Sequence, residues 1–177
     1  EASQRSRVGV WGTAITVNSK AYDQRILAHD PNTEVLSVAC PDLLRLAEKG
    51  QIDDRPHLLE LGRRYFQPLA DFKIDTLILG CTDLTCVRDI AEEVAGTDVN
   101  VVDPAEEVVR QAHEILEDAG ALRLAGDRPA EYRFAITGDD QANFASFGAR
   151  FLGTPEIAVG HVPLTEVQAA APKGICE

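Results

Sequence analysis

Cys81 is the residue whose type and position are best suited to chemistry. It follows a short apolar run and Gly80, and it precedes a segment with helical spacing. The free N–H groups at the start of a helix stabilise a thiolate and lower the pKa of the thiol. Such a thiolate could act as a nucleophile or as a base. A buried, inert thiol is the alternative, because free cysteine is among the most buried residue types. Position alone leaves both interpretations open.

The positions of the other three cysteines do not favour a reactive role. Cys40 also follows an apolar run, but Pro41 removes an amide that would support a thiolate, so we expect Cys40 to pack in the core. Cys86 is expected in the core as well, and Cys176 lies near the end of the chain. The spacing of Cys81 and Cys86 fits neither a CxxC redox pair nor a zinc hook. The four cysteines do not form a disulfide scaffold and indicate a cytosolic setting.

Hydroxyl and carboxylate side chains accompany the reactive thiol at the ends of the predicted strands. Thr13 and Thr16 follow the first strand and could hold a carboxylate ligand or could serve only as helix caps. Thr82 and Asp83 come directly after the thiol, whereas Asp103 is better explained as a helix cap. The chain contains neither a P-loop nor a GxGxxG turn, and its four histidines lack partners at metal-ligand spacing. We therefore predict neither a nucleotide nor a metal site.

Short apolar, β-branched runs alternate with longer segments of helical spacing. Strands are predicted over residues 7–11, 34–38, 75–79 and 99–102, and helices over 19–28, 41–49, 56–72, 85–95 and 104–119. Continuous apolar strands separated by helices indicate a parallel sheet that is buried on both faces. We predict an α/β fold, a three-layer sandwich in which a mainly parallel sheet is flanked by helices. Ligands of such sheets bind at the carboxyl ends of the strands, where Cys81 lies.

The carboxyl-terminal third has a different organisation. Residues 1–120 form the predicted α/β domain, and residues 121–131 form a polar connector. A strand over 132–137 and a helix over 140–152 belong to a strand–helix–strand segment that covers residues 132–162. Residues 163–177 show no apolar periodicity and are expected to form a mobile tail.

The composition excludes several classes of protein. With 17 Lys and Arg against 29 Asp and Glu, the net charge of −12 repels nucleic acid. No apolar run approaches the roughly 20 residues that span a bilayer, and no signal peptide opens the chain, so we expect a cytoplasmic protein without membrane contact. The 177 residues start at Glu1 and contain no Met, which indicates a processed or partial product.

A set of short blocks resembles the glutamate racemases of the aspartate/glutamate racemase superfamily. The blocks are Leu79-Gly80-Cys81-Thr82 and residues 8–22, 39–44, 48–50, 102–103, 134–139 and 151–153. Their order and spacing extend over nearly the whole chain. The resemblance implies the second domain of such an enzyme together with a carboxyl-terminal segment that returns to the first domain. It also implies an amino-terminal half that is absent from these 177 residues.

The resemblance implies inversion at Cα of glutamate without a cofactor, which supplies D-glutamate for peptidoglycan. In that family two cysteines face each other across the substrate. One thiolate takes the α-proton, and the other thiol returns a proton from the opposite face. Cys81 matches the second of these cysteines, and Thr82 matches the neighbouring substrate-binding residue. Thr13 and Thr16 match the threonines of the first turn in this half.

Two departures from the family pattern leave alternatives open. Asp83 stands where the family usually has His, and a carboxylate there raises the pKa of Cys81 unless it is neutral or turned away. The family's first cysteine belongs to the absent half, and Cys40 does not match it. Aspartate racemases carry an acidic residue at the place of Asp83. An aspartate racemase or a one-cysteine decarboxylase or isomerase of the superfamily is therefore one alternative.

A non-catalytic or regulatory domain that binds an amino diacid is the other alternative. The expected partners are glutamate as a small-molecule substrate and either a second copy of the chain or the absent amino-terminal half. An isolated parallel-sheet domain with an unpaired last strand exposes apolar area, and such area is typically covered by another protein surface.

Overall fold

The computed structural model describes residues 6–123 and 131–170. The chain divides into two compact units, Glu1–Leu122 and Arg123–Glu177. Most of the predicted connector (residues 124–130), the end of the predicted tail (171–177) and Cys176 lie outside the described residues.

The first unit is built on a four-stranded parallel sheet. Its strands are β1 (Arg7–Gly12), β2 (Glu34–Ala39), β3 (Thr76–Leu79) and β4 (Asn100–Val102), in the order β2-β1-β3-β4. All three strand pairs are parallel, and Trp11 lies opposite Val38 on one side and Leu79 on the other. The predicted α/β fold with a parallel sheet flanked by helices is confirmed.

Helices connect the strands of this unit. They are α1 (Ala14–Ser19), α2 (Ala21–His29), α3 (Pro41–Glu48), α4 (Arg55–Asp71), a 3₁₀ helix (Thr82–Val87), α5 (Arg88–Ala95) and α6 (Pro104–Asp118). Pro41 and Pro104 occupy first helical turns, where a missing N–H is harmless. Asp103 caps α6 as predicted, since its carboxylate accepts from the N–H of Ala105 at 2.9 Å. None of the helices within 6–123 and 131–170 has both the length and the apolar character needed to cross a membrane.

The core lies on the face of the sheet that carries Trp11. Side chains alternate along a strand, so Gly9 shares this face. A Cβ on Gly9 would lie 3.1 Å from Leu69 of α4, which shows how closely that helix approaches the sheet. The indole of Trp11 is fully buried, and its N–H donates to the carbonyl of Tyr65 at 3.4 Å. Buried aliphatic side chains from α3, α4, β3 and α5 complete the core: Leu43, Leu58, Leu69, Leu77, Leu79 and Ile90.

Three segments differ from the prediction. The predicted helix 19–28 corresponds to α2, which begins at Ala21 after the left-handed Lys20 (φ 54°), and the sequence does not predict the short helix α1 that precedes it. The predicted helix 85–95 begins as a 3₁₀ helix at Thr82, and regular α-helix starts only at Arg88. Part of the predicted tail forms helix α8 (Leu164–Ala170), since its Glu, Gln and Ala residues favour helix even without apolar periodicity.

The second unit contains two parallel strands and the helix between them. Strand β5 (Phe134–Ile136) pairs with β6 (Val159–His161), and α7 (Gln141–Leu152) connects them. The carboxylate of Asp140 caps the start of α7, and Gly153 ends it in a left-handed conformation. The strand and the helix that the sequence predicts here are confirmed.

Helix α6 carries an exposed apolar stripe. Val108 and Ile115, and likewise Val109 and Leu116, lie seven residues apart, so they share one side of the helix. These four side chains are between 45% and 69% exposed. An apolar stripe of this length on a helix is typical of a surface that another protein segment covers.

Candidate active site

The strand order places one switch point in the sheet, between β1 and β3. The connections that follow these two parallel strands lead to opposite sides of the sheet. From β1 the chain passes to β2 on one side, and it later reaches β3 on the other side of β1. Ligands of open parallel sheets bind at such a switch point, outside the carboxyl ends of the strands. Thr13 directly follows β1, and Gly80 and Cys81 directly follow β3. The N–H of Gly80 donates to the carbonyl of Trp11 at 2.7 Å, which holds the two strand ends together.

Gly80 allows β1, β3 and α2 to meet at the switch point. A Cβ on Gly80 would lie 2.9 Å from the carbonyl oxygen of Trp11 and 3.0 Å from the ring of Tyr22. A larger residue would therefore have to displace the backbone of β1. Gly80 thus fixes the position from which Cys81 leaves the sheet.

Cys81 is half-buried at the start of the 3₁₀ helix, with an extended backbone (φ −144°, ψ 138°). Its Sγ–H donates to Oδ2 of Asp83 at 3.7 Å. Burial raises the pKa of the Cys81 thiol, and the charges of Asp83 and Glu48 raise it further, whereas the backbone N–H of Asp83 lowers it. The resting group is therefore a thiol that is hydrogen-bonded to a carboxylate.

The lowered pKa that the sequence predicts for Cys81 is wrong in direction. A short 3₁₀ helix follows Cys81 in place of a regular α-helix, so fewer aligned N–H groups stabilise a negative sulfur. Desolvation and two carboxylates raise the pKa of Cys81, and together they outweigh the one backbone amide that lowers it. The expected effect of Asp83, which raises the pKa of Cys81 when it is turned toward the sulfur, is confirmed.

The hydroxyl groups singled out in the sequence lie at the same edge of the sheet. Thr13 caps α1, because its Oγ1 accepts from the N–H of Thr16 at 3.0 Å, and the two hydroxyl oxygens are 2.9 Å apart. Both of these side chains are half-buried. Thr82, which follows Cys81, is exposed, and Asp83 is half-buried. The capping role of Thr13 is thus observed, and ligand binding by these residues stays a prediction.

Cys40 packs in the core, as predicted. Its side chain is 0% exposed, and its Sγ–H donates to the carbonyl of Gly12 at 3.6 Å. Burial, followed by the charge of Cys81, raises the pKa of the Cys40 thiol to about 12. Cys40 therefore holds the ends of β1 and β2 together and offers no reactive sulfur to a ligand.

The thiol of Cys86 does not extend the site into a metal centre. In a 3₁₀ helix residues three apart share a face, and Leu84 and Val87 occupy the buried one. Cys86 is consequently only half-buried, so the prediction of a core position is wrong. Among the residues that the structure describes, no group of three or more His, Cys, Asp or Glu side chains could hold a metal ion.

Sequence reasoning missed two residues that interact with Cys81 through space. Burial and then the charge of Cys81 raise the pKa of Tyr22. The carboxylate of Glu48, at the end of α3, contributes to the raised pKa of Cys81. Both positions fall inside blocks of the family resemblance, which is the one signal that marks them. No spacing rule connects either residue with Cys81.

Replacing Asp83 by asparagine should make Cys81 react faster with iodoacetamide near neutral pH. The substitution removes the carboxylate that accepts from Sγ, so the pKa of the thiol falls and the thiolate fraction rises. A charge about 4 Å away contributes about 1 kcal/mol in water-like surroundings, which corresponds to a rate increase of about fivefold. Mass spectrometry of the Cys81 peptide gives the rate, with Asp98→Asn, at an exposed position that precedes β4, as the control. An unchanged or slower rate in Asp83→Asn would contradict this electrostatic assignment.

A thiol, three hydroxyls and a carboxylate follow or lie just beyond the two strands that flank the switch point of the open parallel sheet. Residues 2–112 match the Asp/Glu/hydantoin racemase family. The matched region is more than half of the chain and contains Thr13, Thr16, Cys81, Thr82 and Asp83. The chain therefore belongs to the Asp/Glu/hydantoin racemase family.

Glutamate racemases are among the individual proteins that the chain resembles. The glutamate racemase of Parafrankia sp. (strain EAN1pec) is 38% identical over 172 residues, which cover 97% of this chain and 59% of the relative. The glutamate racemase of Acidothermus cellulolyticus is 38% identical over 161 residues, which cover 91% of this chain and 59% of the relative.

Solved structures of glutamate racemases share the fold. An isoform from Bacillus anthracis gives a TM-score of 0.81 at 30% identity, covering 92% of this chain and 59% of that structure. The enzyme of Francisella tularensis, solved in complex with D-glutamate, gives 0.78 at 29% identity, covering 91% and 59%. The chain thus spans 59% of the length of each of these relatives.

Proposed function

We propose that this chain is the greater part of a glutamate racemase, which interconverts L- and D-glutamate without a cofactor and supplies D-glutamate for peptidoglycan. The observation that carries the proposal is the half-buried Cys81 thiol at the switch point of the sheet, hydrogen-bonded to Asp83. Membership of the racemase family and the likeness to glutamate racemases support it.

Cys81 is the acid on one face of the substrate in this proposal. Inversion at a carbon needs a base on one face and an acid on the other. When the base removes the α-proton, the electrons of the C–H bond pass toward the substrate carboxylate. Cys81, held as a thiol by burial and by Asp83, then gives its proton to Cα and becomes a thiolate. The backbone N–H of Asp83 stabilises that thiolate, and in the reverse reaction the thiolate is the base.

The second acid–base group is a cysteine outside this chain in the proposal. Cys40 is fully buried, and its pKa of about 12 makes it a thiol across the physiological range. Its thiol donates a hydrogen bond to the carbonyl of Gly12 in β1 and is not available to a substrate. The resemblance assigns the other cysteine to an amino-terminal half, and the relatives are long enough to contain one.

Four residues around Cys81 bind the substrate in this proposal. The hydroxyls of Thr13, Thr16 and Thr82 are donors that suit a substrate carboxylate. Asp83 supplies a negative charge that suits the α-ammonium group of an amino acid. Because donors and a carboxylate lie at one edge, the site matches a ligand with both kinds of charge, such as an amino diacid.

The apolar stripe of α6 is the proposed contact surface for the rest of the enzyme. Its exposed side chains suit either the amino-terminal half of the family's enzymes or a second copy of the chain. The cytoplasm is the proposed location, because cysteine thiols stay reduced there.

Protection of Cys81 by glutamate tests the proposed function. The native polypeptide is labelled with iodoacetamide with and without L- or D-glutamate, and labelling at each cysteine is followed by mass spectrometry. Both enantiomers should slow labelling at Cys81, because the substrate covers the thiol, and labelling at Cys86 should not change. Stronger protection by aspartate would favour an aspartate racemase. Protection by neither amino acid would contradict the proposal.

A further inference from the structure

The hydroxyl of Tyr22 is a polar group at the switch point that has no role in the scheme above. Tyr22 lies in the first turn of α2, and the left-handed Lys20 determines where that helix begins. The ring contacts the end of β3, since a Cβ on Gly80 would lie 3.0 Å from Cε2 of Tyr22. The phenol is therefore anchored beside the residue that precedes Cys81.

The Tyr22 hydroxyl lacks a hydrogen-bond partner within residues 6–123 and 131–170, although the side chain is half-buried. Tyr65, also half-buried, differs in this respect, because its hydroxyl donates to Oδ2 of Asp42 at 2.6 Å. The charge of Cys81 acts on Tyr22 and contributes to its raised pKa. The ring of Tyr22 thus lies beside the residue that precedes Cys81, and no hydrogen bond joins its hydroxyl to the sulfur.

We propose that the Tyr22 hydroxyl donates a hydrogen bond to a carboxylate of the amino diacid bound next to Cys81, which makes Tyr22 a substrate-binding residue. The inference rests on the proposed function, since it requires an acidic ligand at this edge. A half-buried hydroxyl without a protein partner has lost part of its hydration, and a ligand carboxylate replaces the missing acceptor.

The charges around the thiol explain why a neutral donor is needed here. Asp83 and Glu48 both act on Cys81, so a ligand with two carboxylates meets like charge. A phenol hydroxyl donates without adding another negative charge. Its raised pKa keeps Tyr22 protonated, and hence a donor, at neutral and mildly alkaline pH.

Two matched variants test the inference. Tyr22→Phe removes the hydroxyl and keeps the ring against Gly80, and Tyr65→Phe removes a hydroxyl that serves Asp42. The measurement is the glutamate concentration that halves iodoacetamide labelling of Cys81. This concentration should rise about tenfold or more in Tyr22→Phe, the loss typical of a hydrogen bond to a charged group. It should stay at the wild-type value in Tyr65→Phe. Labelling without glutamate should be unchanged in both variants.

The possible outcomes separate the inference from the function on which it rests. Suppose that glutamate protects the wild type, and that the concentration that halves labelling is the same in Tyr22→Phe. This result overturns the role of Tyr22 and leaves the proposed function standing. An equal weakening in both variants also overturns it, because the effect is then a general change of the fold. If glutamate fails to protect the wild type, the proposed function falls and the inference falls with it.

Discussion

Replacing Cys81 by serine is expected to slow glutamate racemisation by about 10²–10⁴-fold, the contribution of a positioned acid–base group. Serine keeps the size and the backbone geometry of the residue. Its hydroxyl, however, has a far higher pKa than a thiol, so it can neither form the required anion nor accept the α-proton near neutral pH. The rate is measured from the circular dichroism of L- and D-glutamate incubated with the native polypeptide.

Cys86→Ser is the matched control for this experiment. It removes the half-buried thiol of the 3₁₀ helix that follows Cys81, and it should leave the rate unchanged. A full rate in Cys81→Ser would contradict the assignment of Cys81 as the acid. Equal losses in the two variants would show that the 3₁₀ helix had been damaged, and they would remove the support for that role.

Cys40 is expected to react with iodoacetamide about a thousandfold more slowly in the folded protein than in the urea-unfolded chain. A pKa of about 12 places its thiolate fraction about three orders of magnitude below that of a thiol with the ordinary value of 9.0. The side chain is also fully buried, so reagent has no access. Labelling of the Cys40 peptide, followed by mass spectrometry across a urea series, should therefore track unfolding. Labelling of Cys40 in the folded chain as fast as that of Cys81 would contradict its burial.

The same shift should make the fold sensitive to high pH. Because the folded-state pKa of Cys40 is above the unfolded value, its contribution to the free energy of unfolding is complete below pH 9.0 and is lost as the pH rises toward about 12. Urea unfolding of the wild type and of Cys40→Ala, compared at neutral and at alkaline pH, measures this contribution. The wild type should lose more stability on the way to alkaline pH, and equal losses would count against it.

The parallel sheet could be predicted because its signal is local. β1 and β3 are short apolar runs that lead into Gly12 and Gly80, and segments with helical spacing separate the strands. The break between α1 and α2 could not be predicted in the same way. It depends on the left-handed backbone of Lys20, a conformation that lysine rarely adopts and that no neighbouring glycine or proline announces.

The position of the candidate site could be predicted from the sequence, but the pKa of its thiol could not. Cys81 directly follows a strand and a glycine, and such a residue must lie at the carboxyl edge of a parallel sheet. Its pKa depends on how deeply the sulfur is buried and on Glu48, which α3 brings close from more than 30 residues away. Such effects on the pKa arise only from the packing of the helices against the sheet.

Neither spacing nor geometry identifies the ligand, so glutamate is a proposal that draws on the likeness to known proteins. A thiol, hydroxyls and a carboxylate at a switch point suit several proton-transfer reactions on small acids. Family membership and the likeness to glutamate racemases support glutamate among these ligands.

Exchange of the α-hydrogen of glutamate with solvent tests most directly whether Cys81 delivers a proton to Cα. The native polypeptide is incubated in deuterium oxide with L-glutamate or with D-glutamate, and the Cα–H signal is followed by proton NMR. The proposed mechanism predicts that this signal disappears for both enantiomers with the wild type. With Cys81→Ser it should persist for the enantiomer whose α-proton Cys81 removes, because the second acid–base group acts on the opposite face. A Cα–H signal that keeps its full intensity with the folded wild-type polypeptide would contradict proton transfer at this site.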